Sequence, residues 1–342
     1  MKRVLYVLLV VIVLAGIKAY SLYSRAFSAN IILKDKHDPY LYIPTGTSYE
    51  EVLEILSKSG KIRNIDALKW VAQKKNYPNH VKPGRYKLKN RMSNNELINM
   101  LRSGSQEPVM LTFNNIRTPD QLSERIAEQL EFSSDSLLKV LISEAVHKKY
   151  NFSQHTFRCM FIPNTYEFYW NTSPENFVER MYNEYNEFWT KKRVRKSEQI
   201  GLSKEEVIIL ASIVDQETIK DDEKEIIAGV YMNRLQKNIR LHADPTVIYA
   251  VGDFSIKRVL RKHYNIDSPY NTYKHGGLPP GPICLPEISS IDAVLNYREH
   301  SYLYFCAKPD FSGYHNFAKT LEEHNRNAKL YRRELNRRRI YN

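Results

Sequence analysis

Ser203-Lys204-Glu205-Glu206-Val207-Ile208-Ile209-Leu210-Ala211-Ser212-Ile213-Val214-Asp215-Gln216-Glu217-Thr218 opens with a helix cap, runs on as an apolar block and ends on two carboxylates. Ser203 is an N-cap, and Glu206 three residues later completes a capping box. Glu217 lies four residues beyond Ile213, three beyond Val214 and seven beyond Leu210, the spacing that puts it on their helix face. A carboxylate on a buried stripe is costly unless paired or protonated, and desolvation lifts its pKa toward the range of a general acid. Asp215 points elsewhere on the same helix, and Glu223 and Glu225 fall in a charged stretch that reads as solvated. A purely structural account of Glu217 competes with the catalytic one: a buried carboxylate bonded to Arg234 or to backbone groups.

Downstream of this helix stand Val230-Tyr231-Met232-Asn233-Arg234-Leu235, Leu241-His242-Ala243-Asp244-Pro245-Thr246-Val247-Ile248-Tyr249, Tyr270-Asn271-Thr272-Tyr273 and Gly276-Gly277-Leu278-Pro279-Pro280-Gly281-Pro282-Ile283. Tyr302-Leu303-Tyr304-Phe305-Cys306-Ala307 and Gly313-Tyr314-His315-Asn316-Phe317 follow. Blocks rich in Gly, Pro, Asn and Tyr read as loops, which often carry sites. Their neutral polar side chains suit the hydroxyl and acetamido groups of a sugar polymer better than phosphates. The chain has no phosphate-binding Gly-x-x-x-x-Gly-Lys loop, no His-Glu-x-x-His zinc helix and no Gly-x-Ser-x-Gly elbow. No cofactor and no metal are expected.

Upstream, a compact unit spans residues 40–105. Leu41-Tyr42-Ile43-Pro44 reads as a strand, Tyr49 to Leu56 and Ile65 to Lys74 as helices, and Pro83-Gly84 turns into a strand ending at Leu88. Ser93 with Glu96 caps a helix that runs to Arg102 and stops at Gly104. Beyond it, Val109 to Phe113 is β, Thr118-Pro119-Asp120 starts a helix to Leu130, and Ser134 to His147 is amphipathic and helical. Pro174 to Trp189 is a long helix, followed by a polar, solvated run from Lys191 to Lys196. Residues 25–39 suit a short linker.

The amino terminus has fourteen uncharged residues from Val4 to Ile17, then Lys18 and Ala19-Tyr20-Ser21. Snorkelling by Lys18 and interfacial tyrosines extend this toward a membrane span, with the anchor over residues 1–24. The small-x-small pattern Ala19-Tyr20-Ser21 keeps a cleaved signal peptide open as the other reading. The net charge of +13 over 342 residues fits nucleic acid, an anionic surface or an acidic polymer equally, but no nucleic-acid-binding signature accompanies it. The basic tail Arg332, Arg333, Arg337, Arg338, Arg339 reads as a solvated helical face. Cys159, Cys284 and Cys306 have no paired spacing and read as small hydrophobes. The 24 tyrosines and 13 phenylalanines suit sugar stacking as readily as core packing.

Taken in order, the blocks from Leu210-Ala211-Ser212-Ile213-Val214 with Glu217-Thr218 to His315-x-Phe317 resemble the MltG-type (YceG-like) endolytic murein transglycosylases. Ile162-Pro163-Asn164-Thr165-Tyr166 and Val81-Lys82-Pro83-Gly84-Arg85-Tyr86 extend the resemblance over nearly the whole chain. It implies an α+β fold: an N-terminal membrane helix, a small LysM-like subdomain at 40–105 and a YceG-like catalytic domain at 106–342, outside the cytoplasm. It also implies that Glu217 is the catalytic residue. Protonated, Glu217 would donate to the glycosidic oxygen between N-acetylmuramic acid and N-acetylglucosamine; as carboxylate it would take the proton of the muramoyl C6 hydroxyl as it closes on C1. Asp244, Thr246, Asn271, Tyr273, His315 and Asn316 are candidates for binding the sugars. Where the family more often shows Glu and Lys, this chain has Asp215 and Gln216, and His242 stands in place of the more usual Gln. Partners implied are peptidoglycan glycan strands, the membrane and cell-wall synthases, with no nucleic acid. Two other readings remain: a muramidase-type hydrolase with Asp215 or Asp244 as second carboxylate, and a non-catalytic glycan-binding scaffold.

Overall fold

The computed structural model describes residues 2–33, 38–256 and 258–338; part of the expected linker (34–37) and Arg339 of the basic tail lie outside them. The chain divides into two compact units. The first comprises Met1–Leu111, Gln129–Phe132 and Tyr166–Ser173, and the second Thr112–Glu128, Ser133–Thr165 and Pro174–Asn342.

The first unit begins with helix α1 (Lys2–Phe27), whose apolar stretch is exposed along its length. At the 1.5 Å rise of a helix, such an element is long enough to cross a hydrocarbon layer of ~30 Å. Strand β1 (Tyr40–Ile43), helices α2 (Tyr49–Lys58) and α3 (Ile65–Lys74), strand β2 (Gly84–Lys87) and helix α4 (Asn94–Ser103) follow. β1 and β2 pair antiparallel, with Leu41 opposite Tyr86. Alternation along β1 sends Leu41 and Ile43 inward, where they meet Val52, Leu56, Leu68, Val71, Leu97 and Leu101. The stretch expected as a linker is partly structural. Ile31 is buried in this core, and Asn30 is braced by Asn94 (2.6 Å) and by the Asn64 carbonyl (3.0 Å). Ile31-Ile32-Leu33 is an apolar run too short to carry a period, so only the fold reveals that Ile31 is the one fully buried.

Strand β3 (Val109–Thr112) pairs with β4 (Thr165–Phe168), and both strands run from one unit into the other. In the second unit, α5 (Pro119–Ala127) is followed by two short helices, α6 (Ser134–Leu141) and α7 (Glu144–Lys149), where one was expected. The break falls at the exposed Ile142, which contributes nothing to a buried stripe. Helix α8 (Pro174–Phe188) buries Phe177, Met181 and Tyr185. The polar run after it is helical, α9 (Lys191–Gln199), held by a bidentate Arg193–Asp292 pair at 3.1 and 3.0 Å.

Helix α10 (Lys204–Glu217) has the Ser203–Glu206 capping box. Every residue from Val207 to Val214 is buried, so this part of the helix has no solvent face. Around it stand α11 (Asp221–Gln236), α12 (Asp244–Val251) and α13 (Ile288–Leu295), then the β5 (Tyr304–Ala307) and β6 (His315–Ala318) hairpin and α14 (Leu321–Arg337). The Asp244 block, expected as loop, is the start of a helix with proline in its first turn. Helices and small two-stranded sheets together give the α+β class expected from the sequence.

Candidate active site

Glu217 is the last residue of α10, and Thr218 leaves in extended conformation. The helix therefore delivers the carboxyl to the edge of a cleft while its stem stays in the core. The cleft holds about 440 Å³ and is lined by Glu217, Tyr231, Arg234, His242, Asp244, Tyr273, Phe305, Cys306 and His315, among others. A second hollow of about 670 Å³ adjoins it, lined by Asn114, Asn115, Asp215, Gln216 and Lys224 among others; Glu217, Ala307 and His315 line both.

By surface area Glu217 is only half-buried, because one side faces the open cleft, but protein packs densely around its carboxyl group. That burial raises its pKa from an ordinary 4.5 to about 7. The Tyr231 hydroxyl donates to Oε1 at 2.6 Å and opposes the rise, as does the charge of Arg234, while the Asp244 carboxylate adds to it. The carbonyl end of α10, where the helix dipole is negative, also disfavours the anion. Arg234 does not bond Glu217, contrary to the structural alternative. Its guanidinium is occupied by the carbonyls of Leu303 (2.6 Å) and Leu241 (2.6 Å).

The other candidates separate into two sets. Asp244, Tyr273 and His315 share the cleft with Glu217. Asp244 accepts from the Tyr273 hydroxyl at 2.6 Å and the Tyr264 hydroxyl at 3.2 Å, and Tyr273 is stacked on His242 at 4.7 Å. Thr246 and Asn271 are fully buried and are not available to a sugar. Thr246 bonds the Ala243 carbonyl and Thr272, and Asn271 donates to the carbonyls of Tyr264 and Ile266. Both shape the cleft wall from behind. Asn316 follows His315 on β6, where successive side chains leave opposite faces, and it is not among the residues lining either hollow.

Asp215 is committed elsewhere: its Oδ1 accepts from the Ser290 hydroxyl at 2.6 Å and the Glu287 amide at 3.2 Å, at the start of α13. Ser212, one turn before Gln216, accepts from the Ile283 amide at 3.0 Å and clamps the Gly-Leu-Pro-Pro-Gly-Pro loop to α10. Gly281 allows that loop to pass the His155 carbonyl, which a Cβ would meet at 2.2 Å.

Sequence reasoning missed Tyr231 and misread Glu223. Glu223 is not solvated; it is 5% exposed and binds His315 through both oxygens. The signal was present, because Glu223, Ile227, Tyr231 and Arg234 recur at the spacing of one helical face, as Leu210, Ile213 and Glu217 do. The three cysteines are free, and no cluster of metal-ligating side chains occurs among the described residues.

The family model named the YceG-like family matches residues 41–330. This chain belongs to the YceG-like family. It is 30% identical over 327 residues to the endolytic murein transglycosylase of Bacillus subtilis (strain 168), spanning 91% of this chain and 89% of that one. The endolytic murein transglycosylase of Streptococcus pneumoniae (strain D39) is 28% identical over 84% of this chain and 57% of its own length. Among solved structures, a yceG-like protein from Listeria monocytogenes superposes with a TM-score of 0.58 at 29% identity, covering 84% of this chain and 97% of that one.

Proposed function

We infer that this YceG-like chain is an endolytic murein transglycosylase, a lyase that cuts peptidoglycan strands with Glu217 as its acid. The observation that carries the reading is a carboxyl group raised to about 7 at the end of a buried helix, lying where two hollows meet. At neutral pH a large share of such a group is protonated and able to donate. Its proton goes to the glycosidic oxygen on the N-acetylglucosamine side. The C1–O4 bond of the muramoyl residue breaks, the C6 hydroxyl closes on C1 as its proton passes to a base in the cleft, and a 1,6-anhydromuramoyl end forms without water or cofactor.

A hydrolase needs a second carboxylate as base or nucleophile. Asp215 is held at the start of α13, which leaves Asp244, already engaged by two phenols, as the carboxylate that could serve the muramidase reading. Asp244, Tyr273 and His315 are the residues assigned here to the sugars. Helix α1 is read as a single-pass anchor in the cytoplasmic membrane with the rest of the chain outside. The residue 40–105 module is read as LysM-like and the remainder as catalytic. Cleavage close to the membrane, beside cell-wall synthases, would terminate growing strands.

Mass spectrometry of the products from uncrosslinked glycan strands tests the reading with wild-type protein and Glu217→Gln. Anhydromuramoyl ends that vanish in the variant are expected. Reducing ends would make the enzyme a hydrolase, and binding without cleavage by wild type would make it a scaffold.

A further inference from the structure

The acid accounts for one proton of the reaction; the structure holds a second titratable arrangement in the same cleft. Glu223, in the first turn of α11, spends both carboxylate oxygens on one residue. Oε1 accepts the backbone N–H of His315 at 2.9 Å, and Oε2 faces the imidazole Nδ1 at 2.9 Å. A carboxylate can only accept, so the ring proton sits on Nδ1 and the Nε2 lone pair is left free. Among the described residues Nε2 has no hydrogen-bond partner. Phe305 stands edge-on to the ring at 5.3 Å and limits its rotation. Phe305 also packs on Tyr231, whose hydroxyl holds Glu217, so acid and imidazole are fixed by one aromatic pair. His315, like Glu217, lines both hollows. A base oriented by a buried third group, beside an acid, is the arrangement of a proton-transfer site.

We propose that Nε2 of His315 takes the proton from the muramoyl C6 hydroxyl as O6 closes on C1, with Glu223 as the positioning residue. This rests on the transglycosylase reading. Glu217 gives its proton to O4 as the C1–O4 bond breaks; the C1–O6 bond forms as O6–H breaks, and that proton moves to His315. An imidazolium then faces the Glu223 carboxylate. After product leaves, His315 returns its proton to solvent and Glu217 takes one up, so no net proton or water is consumed. With Tyr231 already donating to Oε1 of Glu217, a second base spares one carboxyl from serving O4 and O6 in turn.

The test uses the full chain on uncrosslinked strands, counting anhydro ends. His315→Asn keeps a donor for Glu223 in the place of Nδ1 and lacks Nε2, whereas His315→Ala leaves room for imidazole in solution. His315→Asn should lose ~10²–10⁴-fold in kcat with KM within about threefold, the range for a general base. Imidazole should restore His315→Ala at least about tenfold with saturation, as a replaced base requires. Glu223→Gln should lose kcat by a smaller factor and gain nothing from imidazole. If His315→Asn stays within about tenfold of wild type, or folded His315→Ala is not rescued, His315 is not the base; should His315→Ala fail to fold, His315→Asn decides alone. Wild type that yields no anhydro ends sinks the transglycosylase reading itself, a result separable from an active His315→Asn that makes them.

Discussion

Helices α4 and α10 begin alike and end differently. Ser93 with Glu96 and Ser203 with Glu206 form the same reciprocal capping box. Helix α4 then stops in the usual way, on Gly104 in left-handed conformation, whose N–H returns to the last turn. Helix α10 has no such closure: it runs buried to Val214 and ends on Glu217, with Thr218 extended. Where a helix only supports a fold, local rules are obeyed at both ends. Helix α10, which delivers the proposed acid, is left open at its end and places a charge against its solvation preference.

The contrast breaks most readily at Glu217. Glu217→Gln should lower kcat by ~10³-fold or more, since general acid catalysis alone contributes 10²–10⁴, while the variant stays folded. Wild-type kcat/KM should fall as pH rises through about 7, because the acid must be protonated; an activity that keeps rising above pH 8 would remove the raised acid from the mechanism.

The next effect in size is on stability and has a definite sign. The folded pKa of Glu217 lies above its ordinary 4.5, so the folded state holds the extra proton between pH 4.5 and about 7 and loses stability as pH rises through that window. Glu217→Gln removes the ionisable group. At pH 8 the variant should be more stable than wild type by on the order of 1–3 kcal/mol, and below pH 4.5 the two should melt together. Denaturant titrations at both pH values measure this; equal stabilities at pH 8 would mean the carboxylate is well solvated.

At α4 the expectation reverses. Gly104→Ala puts a Cβ at φ +74° and should cost ~1–2 kcal/mol with kcat unchanged. Smallest, and equal in both helices, is the loss of a cap. Ser93→Ala and Ser203→Ala should each cost about 1 kcal/mol. A Ser203→Ala loss many times that of Ser93→Ala would show that the beginning of α10, and not only its end, is specialised.

Much of the first unit was legible because its signals are local. The Ser93–Glu96 box, the Ile65–Lys74 helix and the turn into β2 each lie within a few residues. The family was legible for the same reason, as was the placing of the Glu217 carboxyl at the end of a buried helix. What was not legible depended on partners far along the chain. Thr246 and Asn271 resembled sugar ligands until their bonds to Thr272, Tyr264 and Ile266 closed on them. Glu223 looked solvated among acidic neighbours because its partner, His315, lies on another element. Asp215 was separated from Glu217 on the ground of helix face, yet Val207 to Val214 are buried all round; what distinguishes the two carboxylates is α13, a partner that no helical period announces.

The end of α1 is bonded into the first unit rather than hung from it. The Arg25 carbonyl accepts from Asn94 at 2.8 Å, and Asn30 is pinned between Asn64 and Asn94 within the next turn of chain. A flexible tether would let this unit explore a volume that grows with linker length. With α1 in a bilayer, as proposed, it would act as a mast: the height and tilt of the rest of the first unit would follow how deep α1 sits, and thickening or thinning the membrane would move that unit with it.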